Sequence, residues 1–446
     1  MLAVLGVSWQ AAASPYSIAP GGQDPDVEGA GYAQKSVDFN MELDYAFELD
    51  SSSLVRERIG PGTDPLGAIP TIRDLAFNQS RHIITPRAEL GVFRNTFITV
   101  ALPIIISQQR ELHLGDGVDR AGSSAVTDGL LPATGFDAND PGTPTPGDLM
   151  FRGPTRSGID QVHLGLGFGL MSQAKDDTKP TWKLGADFGL AIGKVMRFDP
   201  TEPTANTAVG RGVHELKLYT SFARKLGWAE PWVELFWLTP LAATSSSLFT
   251  DPGFGATNVA HSQLGGIQMG IELYVFDDKA DQNRVSVDFG TKAVAHFEGR
   301  EYTEMWEVFA FAGESRSMGP LILDADPTRT DVQAVSHPGI TNIENYLETS
   351  GKLAIRAQIG PHVRFAIGAE LVWKTDHLIT FADAGVDLPT CDGSGGTCES
   401  DENDLVNPGT EEVNPLHVPA IDLVGHRYRS ENNFGVVLGL QGQVLF

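Results

Sequence analysis

The chain has only two cysteines in 446 residues, no long apolar run and little positive charge. Each scarcity excludes something. Cys391 and Cys398 flank a short Asp392-Gly-Ser-Gly-Gly-Thr397 spacer, with no His or further Cys nearby to complete a zinc set. A short-range disulfide in an oxidising compartment is therefore the expectation, and a metal pair the alternative. No stretch approaches the roughly 18 uncharged apolar residues that a spanning helix needs. If the chain crosses a membrane it must do so as a closed barrel, the other way to satisfy every backbone group in lipid. With 32 Lys and Arg against 57 Asp and Glu, the formal charge is −25. That argues against nucleic acid as a partner, because counterion release needs cationic side chains.

What is present is alternation. From Val37 to Leu49, apolar residues (Val37, Phe39, Met41, Leu43, Tyr45, Phe47, Leu49) alternate with Asp38, Asn40, Glu42, Asp44, Ala46 and Glu48. This run is longer than the typical globular strand of about five or six residues, and suits a tilted membrane strand of about 9 to 11. The signature returns in Ile84–Val92, Ile98–Ile106, Val162–Leu170, Trp182–Ile192, Leu216–Phe222, Val233–Trp237, Ile267–Val275, Val285–Phe297, Leu353–Ile359 and Val363–Trp373. Phe434, Val436, Leu438, Leu440, Val444 and Phe446 complete it at the C-terminus.

About twelve strands result, an even number of the kind bacterial barrels require. Connections near residues 94, 175, 227, 279 and 361 are short. Segments 51–80, 110–157, 195–212, 238–262, 299–348 and 375–425 are long and rich in Gly, Pro, Asp and Ser. The segment 375–425 carries many acids, including Asp376, Asp383, Asp401, Glu402, Asp404, Glu411 and Glu412, and no Lys or Arg before Val424. It reads as a solvated external loop. Short turns on one side and long loops on the other put both termini in the periplasm.

The terminal strand, ending on the aromatic Phe446, resembles the last strand of Gram-negative outer-membrane β-barrels. The resemblance covers residues 36–446 and names an architecture, with no particular functional family. It implies an all-β, transmembrane, antiparallel up-and-down barrel, integral to the bacterial outer membrane. It also implies outer-membrane lipid and the barrel-assembly machinery as partners, with Phe446 as the assembly signal. Residues 1–13 read as a truncated signal peptide: an apolar Met1–Trp9 run precedes an Ala11-Ala-Ala13 cleavage pattern, without the basic n-region. Residues 14–35 form a periplasmic N-terminal segment.

With the apolar face toward lipid, the other face lines a lumen. Its charged residues are Arg87, Glu89, Lys183, Asp187, Glu215, Lys217, Glu234, Glu272, Asp288, Lys292, Lys352, Arg356, Arg364 and Glu370, with Lys374, His163 and His296 beside them. Both signs are nearly balanced. Two readings stand, a narrow water-filled pore with a transverse field or a lumen closed by its own ion pairs. The inward run of Gly165, Gly167, Gly169, Gly185, Gly189 and Gly193 marks a place where something approaches the wall. A solute, an infolded loop, long side chains from across the lumen, or relief of crowding at a curved wall all fit.

Met305-Trp-Glu-Val-Phe-Ala-Phe311 is an apolar stretch in an external loop and must find cover. Packing against the other loops is favoured over a constriction in the mouth. Asp401-Glu-Asn-Asp404 with Glu411 and Glu412 is a candidate calcium site without EF-hand spacing; no other cofactor or metal is expected. No His-x-Ser occurs, and neighbours such as Asp376 and His377 face opposite ways on a strand, so no enzyme is expected. The leading function is a channel or transporter for small solutes with a mixed-charge lumen. The alternative is a non-transporting envelope protein acting in adhesion or envelope machinery.

Overall fold

The computed structural model describes residues 38–58, 69–93, 96–173, 176–244, 246–249, 260–278, 280–314, 319–324, 334–382 and 416–446. The expected signal peptide, the Cys391–Cys398 pair and the acidic calcium candidate lie outside them.

Twelve long staves build the fold: β1 (Asp38–Glu57), β2 (Thr71–Phe93), β3 in two pieces (Thr96–Ala101 and Ile104–Leu114), β4 (Gln161–Met171), β5 (Thr181–Ala191), β6 (Val213–Ala223), β7 (Ala229–Ala242), β8 (Leu264–Asp278), β9 (Asn283–His296), β10 (Tyr346–Ile359), β11 (Val363–Lys374) and β12 (Tyr428–Leu445). Each pairs antiparallel with its neighbours in sequence order. The cylinder closes where β1 meets β12, from Asn40–Leu445 up to Arg56–Tyr428. Closure leaves no strand edge bare. The break in β3 falls at Leu102–Pro103, where proline has no N–H to give; Leu102 N still donates to Pro86 O at 3.0 Å.

Alternation is inside out. Met41 is 51% and Leu43 56% exposed, whereas Asn40 is 4% and Asp44 2% exposed. The same outward apolar face continues through Leu166, Leu184, Leu218, Leu235, Met269, Phe289, Ile355, Ile367 and Leu440. Aromatic pairs ring it at two heights: Trp237–Phe297 (5.3 Å) and Trp373–Phe434 (5.2 Å) toward the long loops, Trp182–Phe222 (5.2 Å) and Phe39–Phe446 (5.9 Å) toward the short turns. An apolar band flanked by aromatic girdles on a closed, even-numbered barrel meets lipid. The chain is an integral outer-membrane β-barrel.

The connection expected over 51–80 is shorter in the structure. β1 runs on to Glu57 and β2 starts at Thr71, paired by Glu57–Thr71 and Leu54–Leu75. Above the lipid the sense of the alternation reverses: Leu54, Leu75, Phe77 and Leu112 point inward and are buried, while Asn78 and Arg73 point outward and are exposed. The outer face there meets water and the inner face meets a second, apolar core. Likewise β3 runs to Leu114, into the expected loop 110–157.

That core fills the mouth on the long-loop side. Three short helices contribute, α1 (Ser124–Thr127), α2 (Trp306–Ala312) and α3 (Pro419–Asp422). α2 is the expected apolar loop segment. It is apolar nearly all round, and a helix so short forms only when tertiary packing covers it. Phe309 meets Tyr428 edge-on at 5.8 Å and shares one buried cluster with Leu54, Phe77, Leu112 and Tyr346 from the walls of β1, β2, β3 and β10, and with loop residues Leu131, Met150, Phe151 and Ile379. Trp306 meets Tyr302 edge-on at 5.0 Å and shares a second buried cluster with Met196 and with Val213 of β6. The segment therefore does both things considered for it, packing on the other loops and spanning the mouth.

Candidate functional site

The candidate site is the lumen beneath this plug. Every charged residue expected to line it lies on the inward face, and most are brought into contact. Lys217 Nζ reaches Glu234 at 3.0 Å. Arg356 bonds Glu272 at 3.3 Å and Asp288 at 3.1 Å, with Lys352 4.0 Å from Asp288. Trp232 Nε1 donates to Asp288 at 3.1 Å, and Ser286 donates to Glu272. Lys292 lies 3.1 Å from Glu348 and 3.7 Å from Glu370. Arg364 donates to Gln358 at 3.0 Å. Lys183 is 3% exposed, facing Ser221 across the β5–β6 ladder. Asp187 takes His163 Nδ1 at 3.1 Å. Glu215 is held from above by Arg211 at 2.8 Å. Arg87 sits 3.8 Å from Glu42 and faces Glu42, Asp44, Glu89 and Asp187 electrostatically.

The glycines have a specific reason. A Cβ at Gly167 would fall on the Phe97 ring, one at Gly185 on Tyr219, and one at Gly270 against Trp232. Phe97, Tyr219 and Trp232 each come from the next strand in the ladder. Aromatic side chains thus lie flat along the wall over neighbouring glycines. At these three positions the approaching group is a side chain of the adjoining strand, while at Gly193 it is the carbonyl of Ile159.

Two groups of residues lie outside the expected set. On β1, Glu42, Asp44, Glu48 and Asp50 form an inward ladder of carboxylates. Glu48 pairs with Arg81 at 2.6 Å and Asp50 takes Gln79 Nε2 at 2.5 Å. The alternation of β1 carries this signal, since these residues occupy the polar face of its clearest strand. The second group anchors the plug. Arg156 bonds Glu307 of α2 through Nε (2.9 Å) and Nη2 (2.8 Å) and stacks over Trp306 at 4.9 Å. Arg110 donates to Thr303 O at 3.0 Å. Arg211 joins Asp160 and Glu215, both at 2.8 Å. Arg56 reaches Asp128 (2.7 Å) and the carbonyls of Ala420 (2.8 Å) and His426 (3.0 Å). These arginines fall in segments with no periodicity, where the sequence offers no face to assign.

Burial and charge shape the loop groups. Burial works against the charged form of His261, but Glu301 at 2.8 Å outweighs it and holds the imidazole above its ordinary pKa. Burial, with Arg300 nearby, lowers His337 to about 3. Burial raises Asp422 to about 7. Asp376 and His377 do face opposite ways: Asp376 is exposed, while His377 is buried on Tyr346 with ring centroids 4.2 Å apart. Among the described residues no three His, Cys, Asp or Glu side chains form a metal-ion group.

No protein-family model matches the chain, and no curated protein sequence does. Solved structures similar to it include an outer membrane channel from Pseudomonas putida F1, at 7% identity over 91% of this chain and 95% of that one, with a TM-score of 0.39. A FadL homologue from Pseudomonas aeruginosa is 11% identical over 99% and 98%, with a TM-score of 0.29. The outer membrane protease OmpT from Escherichia coli is 7% identical over 92% and 97%, with a TM-score of 0.27.

Proposed function

We propose that this protein is an outer-membrane channel or transporter for small solutes, with a mixed-charge lumen beneath a plug of loops. One observation carries the reading. Below the apolar plug, buried polar atoms face the lumen with no hydrogen-bond partner among the described residues: His163 Nε2, Ser221 Oγ and Glu234 Oε2. A barrel packed shut by its own side chains would satisfy such groups, because leaving each bare costs about 1–3 kcal/mol. Their direction suits a wall that water or solute would satisfy once the plug opens. The plug is then a gate made from a loop.

Single-channel recording in a planar bilayer tests this. Unit currents that rise when the plug is loosened, and that change when Lys292 or Arg356 is neutralised, support transport. A second reading, a barrel serving as a platform for another envelope component, is favoured by the ion pairs that fix the loops into one cap. An electrically silent barrel, with the plug loosened or not, supports that second reading.

A further inference from the structure

The geometry points to a binding subsite for uncharged polyhydroxy solutes, of which a pyranose sugar is the type, on the wall directly beneath the plug. The proposal rests on the transport reading and names the class of solute that the same lumen takes.

The place is the loop-side end of β4, β5 and β6. Gly189 of β5 lies opposite His163 on one side and Glu215 on the other. Gln161, two residues before His163 on the same inward face, leans over this glycine. A Cβ at Gly189 would fall 2.7 Å from Gln161 Oε1. Arg211 reaches Glu215 at 2.8 Å. Val213, whose carbonyl takes Gln161 Nε2 at 2.7 Å, shares the buried cluster of Trp306, so the plug lies immediately above.

Three side-chain atoms here are buried with no hydrogen-bond partner among the described residues: Gln161 Oε1, His163 Nε2 and Arg211 Nη2. Gln161 is 0%, His163 6% and Arg211 1% exposed. The far end of each side chain fixes what these atoms can do. A backbone carbonyl only accepts, so the Gln161 amide gives an N–H to Val213 and turns its oxygen over Gly189. The Asp187 carboxylate likewise accepts, so His163 carries a proton on Nδ1 and, as the neutral imidazole, presents Nε2 as an acceptor. Arg211 gives Nε to Asp160 and Nη1 to Glu215, both at 2.8 Å, and Nη2 remains as a donor. Two acceptors and one donor therefore gather around Gly189 and Glu215. Leaving each bare in a closed place is costly, and a ligand with the complementary groups removes that cost.

Charge decides the class of ligand. The ionic groups here answer one another. Arg211 joins Asp160 and Glu215, while Asp187 takes His163 and is faced by Lys217 and Arg87. A carboxylate solute brings no donor for the two acceptors and meets three acids. An ammonium brings no acceptor for Arg211 and meets a guanidinium. A hydroxyl both donates and accepts, as water does, so neighbouring hydroxyls on one sugar replace hydration here without loss of hydrogen bonds.

Equilibrium dialysis of labelled glucose against the full chain in detergent tests this, in the wild type and with the plug loosened by Glu307→Gln. Glucose should be retained. Unlabelled glucose should displace it at lower concentration than glucosamine or glucuronate, which add one charge of either sign. His163→Phe and Gln161→Met, with folding checked by circular dichroism, should each weaken retention by about tenfold, the worth of one good hydrogen bond. Gly189→Ala, which displaces only the flexible Gln161 amide, should weaken it with little change in melting temperature. No glucose retained in either background overturns the proposal. Equal or better displacement by a charged analogue also overturns it, a result that needs no variant, as does retention that all three variants leave unchanged. Glucose retained, and lost in the variants, by a barrel that passes no glucose in liposome swelling refutes the transport reading and leaves the subsite standing.

Discussion

Replacing Glu307 by Gln should loosen the plug without unfolding the barrel. The carboxylate is 4% and its partner Arg156 1% exposed at the side chain, so the ion pair is shut away from water. Removing one member of such a pair typically costs about 3–5 kcal/mol, chiefly through the uncompensated charge left behind. Arg156 would keep its bonds to the carbonyls of Asn206 and Ala208, both at 3.0 Å, and of Arg197 at 3.2 Å. The lower end, about 3 kcal/mol, is therefore expected, or roughly a hundredfold in the equilibrium for opening α2. Native-state hydrogen exchange reads this directly. The amides of Phe309 and Gly313, bonded to Met305 O at 2.9 Å and Phe309 O at 2.8 Å, should lose about that factor of protection. Amides of β9 and β10 in the barrel wall should not change. Equal loss everywhere would show that the plug and barrel open as one unit. Unchanged protection at α2 would refute the ion pair as the anchor.

Gly167→Ala should destabilise the folded barrel by about 1–3 kcal/mol, the usual cost of overpacking. Phe97→Leu in the same chain should recover part of it, as urea unfolding in detergent micelles would show. Leu440→Arg, on the lipid face, should cost about 2–4 kcal/mol. Asn78→Arg, on the outward face beyond the belt, should cost little in the same assay. The His261–Glu301 pair gives a pH dependence. With the folded pKa raised above an unfolded value of about 6.5, its stabilisation is complete below that pH and fades as pH climbs through the folded value. Thermal melting should thus favour mildly acid over alkaline buffer through this pair, and His261→Gln should shrink the difference.

The barrel was legible in the sequence wherever one face meets lipid and the other water. Each such stave, from Phe39–Leu49 to Phe434–Phe446, was visible from its period of two, and so was the alternation of short and long connections. Legibility failed where that contrast reverses. At Leu54, Leu75 and Phe77 the apolar side chains turn inward onto the plug, so strands that stay paired through bulges at Ser51/Ser53 and Leu54/Val55 read as loop. The plug itself had one visible element, Met305–Phe311, because it is apolar amid polar neighbours. Its arginine anchors had no signal, since Arg56, Arg156 and Arg211 gain meaning only through partners far away in the chain. Lumen residues were identified by face but not by partner: alternation says that Arg356 points inward, and only register brings it to Asp288.

Which side of the wall faces the bilayer fixes both the lumen and the lipid belt. Spin labels placed one at a time from Leu438 to Gln441, with Cys391 and Cys398 replaced by Ser, measure it in proteoliposomes. Labels at 438 and 440 should be open to oxygen dissolved in lipid and closed to a water-soluble nickel chelate, with 439 and 441 shielded from lipid oxygen. The opposite alternation, or none, would contradict a lipid-facing belt on a closed cylinder.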